Sequence, residues 1–396
     1  MRFINYVEAI SSMTKDSDGL ALLPNGFSDL LPPRAEAEDA TVRGLIDCFL
    51  SFGYQLTKPP LVEFEESLLA PGPGERLASK TFRLMDPMSD RMLGVRSDVT
   101  AQISRIATAR LASEPMPLRL TYANDVLRTR GDQIRSKRQF TQVGCEVIHD
   151  HVCLDTDIEV CVLAILGLKA VGLQDITLDL NLPRFLSAFV GEALDDTILK
   201  AVAQRDGETL SRCGIGNASV LADVVGWGND PITVFANLLN MDVDDGLRQD
   251  ILHLQHIFEG ISKALKQLAV DDVAITLDVL EQEGFEYHTR FGFSLFSSHI
   301  HGELGRGGAY DVCFNQAQND ELCSTSKGFT LYMDTIAGAI DVKANGKYVF
   351  VPSLEPWNVL ADLQGQGWRV VRGFEAPSGC DFIYENGHIK EYKREG

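Results

Sequence analysis

The chain reads as an α+β protein, an antiparallel sheet with flanking helices, a helical insertion and a short C-terminal α/β tail. Three observations predict this. Residues 80–98 and 118–148 carry paired strand patterns separated by turns. Residues 184–272 then lose strand character and keep helical spacing. From about residue 347, short strand and helix patterns alternate to the last residue.

Composition sets the outer bounds. The 396 residues carry 56 acidic and 36 basic side chains, a formal net charge of −20. A hydrophobic content of 45% with 23% charged residues excludes a disordered chain. That length supports a sizeable core in more than one domain, divided here as 1–21 (an N-terminal extension), 22–340 and 341–396. The acidity argues against a surface that wraps nucleic acid, because phosphate binding needs clustered Lys and Arg. The first residues lack the apolar run and cleavage pattern of a secretory signal. No stretch reaches the ~18 apolar residues of a membrane helix. Eight cysteines, scattered and without a C-x-x-C pair, fit reduced thiols and offer neither a disulfide framework nor a zinc site. The expectation is a soluble cytoplasmic protein with no cofactor, metal or membrane partner.

The elements follow in order. Pro33 opens a helix at its first position, where a missing N–H costs nothing. Val42, Leu45, Ile46, Phe49 and Leu50 give it an apolar face, and Gly53 closes it. Tyr54–Phe64 reads as an extended strand broken by two prolines, hence at a sheet edge or interface. Thr81–Met85 and Met92–Arg96 form a hairpin, and a helix starts near Asp98. Leu118–Arg128 and Arg138–Ile148 are strands around a polar basic loop; Asp155–Val171 is a buried helix and Ile176–Leu182 a further strand. In the insertion, Ile251, Leu254, Phe258, Ile261, Leu265 and Leu268 hold one helix face for about five turns. Between residues 190 and 285 stand 17 acidic and 6 basic side chains, so roughly half of the net charge lies there. Strands resume at Ala274, Phe291–Phe296 and Gly328–Tyr332, with Phe291, Phe293 and Phe296 expected in the core. Gly302–Ala309 is glycine-rich but matches neither a Walker loop nor a dinucleotide fingerprint. The tail reads as strand 348–351, helix 355–364, strand 368–371 and strand 381–384.

Four segments in this order resemble the catalytic domain of class II aminoacyl-tRNA synthetases of the histidyl type. Gly26–Pro32, the next helix and the proline-bearing strand are similar to the first, dimer-forming motif. Val95-Arg-Ser-Asp-Val-Thr100 resembles the family's Leu-Arg-Pro-Glu-Gly-Thr turn, and Leu118–Glu146 its second motif. Glu286–Ser294 and Gly307–Asp311 are similar to the histidine-recognition segments. The departures concern charge. The family places an arginine three residues before the acidic neighbour of its tyrosine pair; Glu281–Tyr287 contains none. The third-motif arginine falls near Thr335, the Arg of Gly-Gly-Arg-Tyr-Asp is Ala309, and the Glu after the second-motif Arg is Arg130. Fixed guanidiniums carry the electrostatic work of adenylation, so a site stripped of two is not expected to adenylate. The tail of about 50 residues is also shorter than an anticodon-binding domain.

The resemblance therefore points to the synthetase paralogues that serve as regulatory subunits of ATP phosphoribosyltransferase. It implies a non-catalytic chain, a homodimer within a hetero-octamer with the short-form catalytic subunit, in the first step of histidine biosynthesis, without tRNA. An active histidyl-tRNA synthetase and a stand-alone histidine sensor are the competing readings. By motif position Asp98, Thr100, Arg128, Gln142, Glu146, Tyr287 and His288 form a histidine-like ligand pocket, or are inherited residues that satisfy one another. The basic run, with Arg130, Arg135, Lys137 and Arg138, is either a phosphate or partner contact or a solvated loop. Cys145 reads as a core residue, and His149 and His151 around Asp150 lack an evident third ligand for a metal.

Overall fold

A computed structural model describes residues 23–392 except 71, 75–76, 132–135, 214–216, 283, 286, 315–321, 339–346 and 378–379. The expected N-terminal extension and Arg135 lie outside the described residues. The chain divides into two compact units, one of residues up to Asp29 with Ala40–Ile340, the other of Leu30–Asp39 with Asp341–Gly396. Residues 30–39, read from sequence with the large domain, thus group with the tail.

The large unit is built on eight strands: β1 (Gln55–Leu56), β5 (Leu118–Leu127), β6 (Gln139–His149), β7 (Ile176–Asn181), β8 (Val273–Leu277), β9 (His288–Ser297), β10 (Ile300–Phe314) and β11 (Leu322–Tyr332). Their order is β1-β5-β6-β11-β10-β9-β7-β8. The inner pairings are antiparallel, while β1–β5 and β7–β8 at the two ends are parallel. A smaller sheet holds β2 (Val62–Phe64), β3 (Phe82–Met85) and β4 (Met92–Val95) in the order β2-β4-β3. The single strand expected over 54–64 is therefore two strands in different sheets. Pro59 and Pro60 have no N–H to continue a ladder and fall between them.

The pleat sorts β6 by face. Val143, Cys145 and Val147 share a core with Leu45 and Phe49 of α1 (Arg34–Ser51) and with Val160, Leu163 and Leu168 of α4 (Leu154–Ala170). Phe140 and Ile148 pack on the other face with Ile103 and Ala107 of α3 (Thr100–Ala109), and Gln142 and Glu146 share that face. Each such buried aliphatic or aromatic side chain stabilises by about 1.5–3 kcal/mol relative to exposure. Pro33 stands one residue before α1, its carbonyl accepting from Ala37 N–H. Leu50 is exposed, because the buried stripe of α1 runs through Thr41, Leu45 and Phe49. Phe291 and Phe293 are core residues, whereas Phe296 is exposed: an odd-to-even step along β9 changes face.

Parallel strands β7 and β8 cannot be joined by a tight turn, and the helical insertion is their crossover. It contains α5 (Phe185–Val190), α6 (Asp196–Ala203), α7 (Gly207–Arg212), α8 (Ala218–Val225), α9 (Pro231–Asn240) and α10 (Asp245–Gln267). Four aspartates cap helix starts: Asp195, Asp206, Asp230 and Asp244 accept backbone N–H groups of Ile198, Thr209, Thr233 and Leu247 at 2.7–3.0 Å. Part of the acidity of this region is thus helix capping. Leu247, Ile251, Leu254, Ile257, Ile261 and Leu265 are the buried stripe of α10; Leu268 lies past its end and is exposed.

The glycine-rich run 302–309 forms the middle of β10, a strand not anticipated from sequence. The small unit has a sheet of order β13-β12-β14-β15, from β12 (Tyr348–Pro352), β13 (Arg369–Gly373), β14 (Phe382–Glu385) and β15 (His388–Glu391). Helix α12 (Trp357–Gly365) crosses from β12 to its parallel neighbour β13, and Leu360 and Leu363 cover Val349 and Val351. The last strand, β15, is additional to the sequence reading.

Candidate ligand pocket

The pocket begins at the turn before α3. Arg96 donates from Nε to Asp125 O at 2.6 Å and from Nη1 to Pro59 O at 3.0 Å, which holds the turn against β5 and the segment between β1 and β2. Asp98 Oδ1 accepts from Thr100 N–H at 2.9 Å, and its Oδ2 accepts from Gln142 Nε2 at 2.9 Å. Gln142 closes the loop by accepting from Val99 N–H at 3.0 Å. One buried amide on β6 therefore fixes both ends of the Asp98 turn.

Glu146 lies two pleats further along β6 and is 1% exposed. Thr100 Oγ1 donates to its Oε1 at 3.2 Å, and Tyr310 Oη to its Oε2 at 2.8 Å. Burial raises its pKa to about 8, with a lesser push from Asp98, against the hydroxyl donors that favour the carboxylate. Tyr122 Oη meets Thr330 Oγ1 at 2.7 Å beside this group. The Tyr287 ring stacks on His288 at 4.2 Å and meets Tyr310 edge-on at 5.8 Å. Burial, with the Arg306 charge, lowers the His288 pKa to about 3, so that ring is neutral at physiological pH. Asp98, Thr100, Gln142, Glu146, Tyr287 and His288 thus converge. Arg128 stands at the near end of the turn, its Nε donating to Ser97 O at 3.3 Å and its guanidinium 4.9 Å from the Phe140 ring.

Arg306 is a member that sequence reasoning missed. It donates from Nε and Nη2 to the two oxygens of Glu303 at 2.9 and 2.8 Å, and Ser294 Oγ donates to the same carboxylate at 2.9 Å. Tyr332 and Tyr287 interact with its charge. It lies three residues before Ala309, so a guanidinium is present near the family's lost position but bound to its own carboxylate.

The basic run resolves into separate roles. Arg119 makes a bidentate pair with Glu159 at 2.8 Å, within reach of Tyr54 Oη. Arg138 donates to Arg128 O and Asn25 O, with its guanidinium over the rings of Phe27 and Phe82. These two are held by the fold; Arg130 is exposed and Lys137 half-buried. His149, Asp150 and His151 do come together, both Nδ1 atoms lying 2.7 Å from Asp150 Oδ1. Asp150 is mostly exposed and already serves both rings. Cys145 is fully buried, and burial pushes its thiol pKa up, as for a core residue rather than a nucleophile. Among the described residues no helix is long and apolar enough to cross a membrane.

Such a pocket offers a carboxylate and an amide at one end, a buried acid under two hydroxyls in the middle, and aromatic rings at the other. That set fits an ammonium, an N–H donor and a planar group, the parts of a small amino acid with a ring.

Comparison with known proteins bears on the family. Residues 26–336 match the histidyl-tRNA synthetase family model. An ATP phosphoribosyltransferase regulatory subunit from Rhodospirillum centenum is 38% identical over 395 residues, 96% of this chain and 99% of that protein. One from Rhodospirillum rubrum is 38% identical over 377 residues, 93% of this chain and 94% of its own length. The crystal structure of an ATP phosphoribosyltransferase regulatory subunit/histidyl-tRNA synthetase from Bacillus halodurans C superposes with a TM-score of 0.74 at 19% identity, covering 90% of this chain and 93% of that one. This likeness concerns the fold. The chain belongs to the family of ATP phosphoribosyltransferase regulatory subunits, built on the histidyl-tRNA synthetase fold.

Proposed function

We propose that this chain is the non-catalytic regulatory subunit of a cytoplasmic ATP phosphoribosyltransferase, acting in the first step of histidine biosynthesis. Its partner is the short-form catalytic subunit, which joins ATP to phosphoribosyl pyrophosphate, and the two assemble as a hetero-octamer around homodimers of this chain. The carrying observation is the 38% identity to a regulatory subunit over 99% of that relative's length. The altered charges agree: Ala309 and Thr335 stand where the synthetases use arginine, and Arg306 is committed to Glu303. The pocket around Glu146 takes a histidine-like amino acid, with the ammonium at Asp98 and the side-chain N–H at Glu146. That occupant is the signal for feedback.

The test is to purify the chain, assay histidine-dependent ATP–pyrophosphate exchange, then mix it with a cognate short-form transferase with and without histidine. The expected results are no exchange, co-elution with the transferase and strong activation of it. Exchange at synthetase rates would replace this reading with an active histidyl-tRNA synthetase, which the match over residues 26–336 otherwise favours. Histidine binding with neither co-elution nor a rate change would leave a stand-alone sensor.

A further inference from the structure

Strand β6 ends on His149, and the chain turns through Asp150 and His151 before α4 begins at Leu154. The pleat puts His149 on the face of Val143, Cys145 and Val147, opposite the face of Gln142 and Glu146. Register places it beside Thr325 of β11. This turn therefore lies outside the amino-acid pocket.

The third donor that the two histidines lack by sequence spacing is Asp150 itself. His149 Nδ1 and His151 Nδ1 each lie 2.7 Å from the same oxygen, Asp150 Oδ1. The two rings meet edge-on with centroids 4.0 Å apart, and one donor atom from each of the three side chains lies within 4.8 Å of the others. His149 is nearly buried at the strand end and fixes one donor, while the Asp150 and His151 side chains are 69% and 64% exposed and open to water. Among the described residues no lysine or arginine pairs with Asp150. As hydrogen bonds, the two contacts need a proton on each Nδ1, both facing one oxygen; a metal ion takes a lone pair from all three groups at once.

We propose that His149, Asp150 and His151 form a binding site for a first-row divalent metal ion, with zinc as its best fit. Two imidazoles and a carboxylate suit such an ion, whereas Mg²⁺ and Ca²⁺ call for oxygen ligands. Three protein ligands with water in the fourth position is a coordination that zinc adopts. Ligands about 2.0–2.2 Å from a tetrahedral ion stand about 3.3 Å apart, and rotation of the two exposed side chains supplies that spacing. The bound ion ties the end of β6 to the turn that leads into α4. The assignment is independent of what the amino-acid pocket binds, since no residue is shared.

Calorimetric titration of Zn²⁺ into the full-length, chelator-treated chain tests it. One equivalent should bind in the micromolar range. Co²⁺ in its place should give d–d absorption without a thiolate charge-transfer band, which separates this site from the eight cysteines. Asp150→Ala and His151→Ala, both at exposed positions, should each weaken Zn²⁺ about tenfold or more. Zn²⁺ should also raise the melting temperature of the wild type and not that of His151→Ala, because a ligand stabilises only the form that binds it. No binding below the millimolar range, Zn²⁺ affinity indifferent to either variant, a thiolate band from the first equivalent of Co²⁺, or an equal melting shift in His151→Ala would overturn the assignment.

Discussion

Glu146 is held by Thr100 and Tyr310 with almost no surface in water, and its pKa rises from 4.5 to about 8. In the unfolded chain it releases its proton near the ordinary value, while the folded chain keeps it until about pH 8. The folded state therefore binds more protons across that window, and stability falls as pH rises from about 5 to 8. At roughly 1.4 kcal/mol per unit, the full effect is a few kcal/mol. Glu146→Gln removes this dependence, so its melting temperature should overtake that of the wild type progressively between pH 5 and 8 and run parallel above it. Melting curves that stay parallel throughout would refute the shift. The same titration predicts that a ligand requiring the Glu146 carboxylate releases a proton on binding. Histidine affinity should then rise with pH toward 8, and calorimetry in buffers of different ionisation enthalpy should count about one proton. Asp98, Gln142 and Glu146 are legible in the sequence through the synthetase-like turn and second motif in which they stand. Arg306 is not: a single arginine in a glycine run acquires meaning only through the cross-strand register that sets it opposite Ser294 and among Tyr287 and Tyr332.

The same limit operates on whole elements. Hairpins over 81–95 and 118–149, the buried helix Leu154–Ala170 and the amphipathic α10 follow from local periodicity. Strand β10 does not, because Gly302, Gly305, Gly307 and Gly308 carry no side chains from which a period of two could be read. Its glycines answer to neighbours far away in sequence. A Cβ on Gly307 would lie 2.4 Å from Gly328 O, and one on Gly305 2.5 Å from Thr330 O. On the opposite face β11 makes a second long-range commitment. Lys327, fully buried, lies 3.0 Å from Asp157 Oδ1 on α4, and His253 Nε2 on α10 lies 2.8 Å from Asp157 Oδ2. This trio ties strand, helix and insertion together. Asp157→Leu should cost about 3–5 kcal/mol in denaturant unfolding, because it strands a buried ammonium. Adding Lys327→Met should recover most of that loss. Additive losses in the double variant would show that the two charges are not coupled.

At the scale of the molecule the net charge of −20 is unevenly placed, with 17 acidic and 6 basic side chains between residues 190 and 285. That imbalance is a count from the sequence, which does not show its local use. Four of those aspartates are helix caps whose side chains face backbone N–H groups. The cationic run of β5 and β6 is likewise partly spent inside the fold, as Arg119 on Glu159 and Arg138 on carbonyls and rings. What a polyanion meets on the crossover segment is an excess of acidic over basic side chains. Affinity for nucleic acid grows with the number of phosphates neutralised and falls steeply with salt. Non-specific complexes of basic proteins reach Kd values of about 10⁻⁴–10⁻⁶ M at physiological salt. This chain should therefore fail to retain histidine tRNA on filters at micromolar concentration in that buffer, and lowering the salt should help only slightly. Association with a catalytic subunit, measured by co-elution in the same buffer, should persist. Retention of tRNA with a steep salt slope would reveal a cationic surface that these ion pairs do not account for, and would return the synthetase reading to first place.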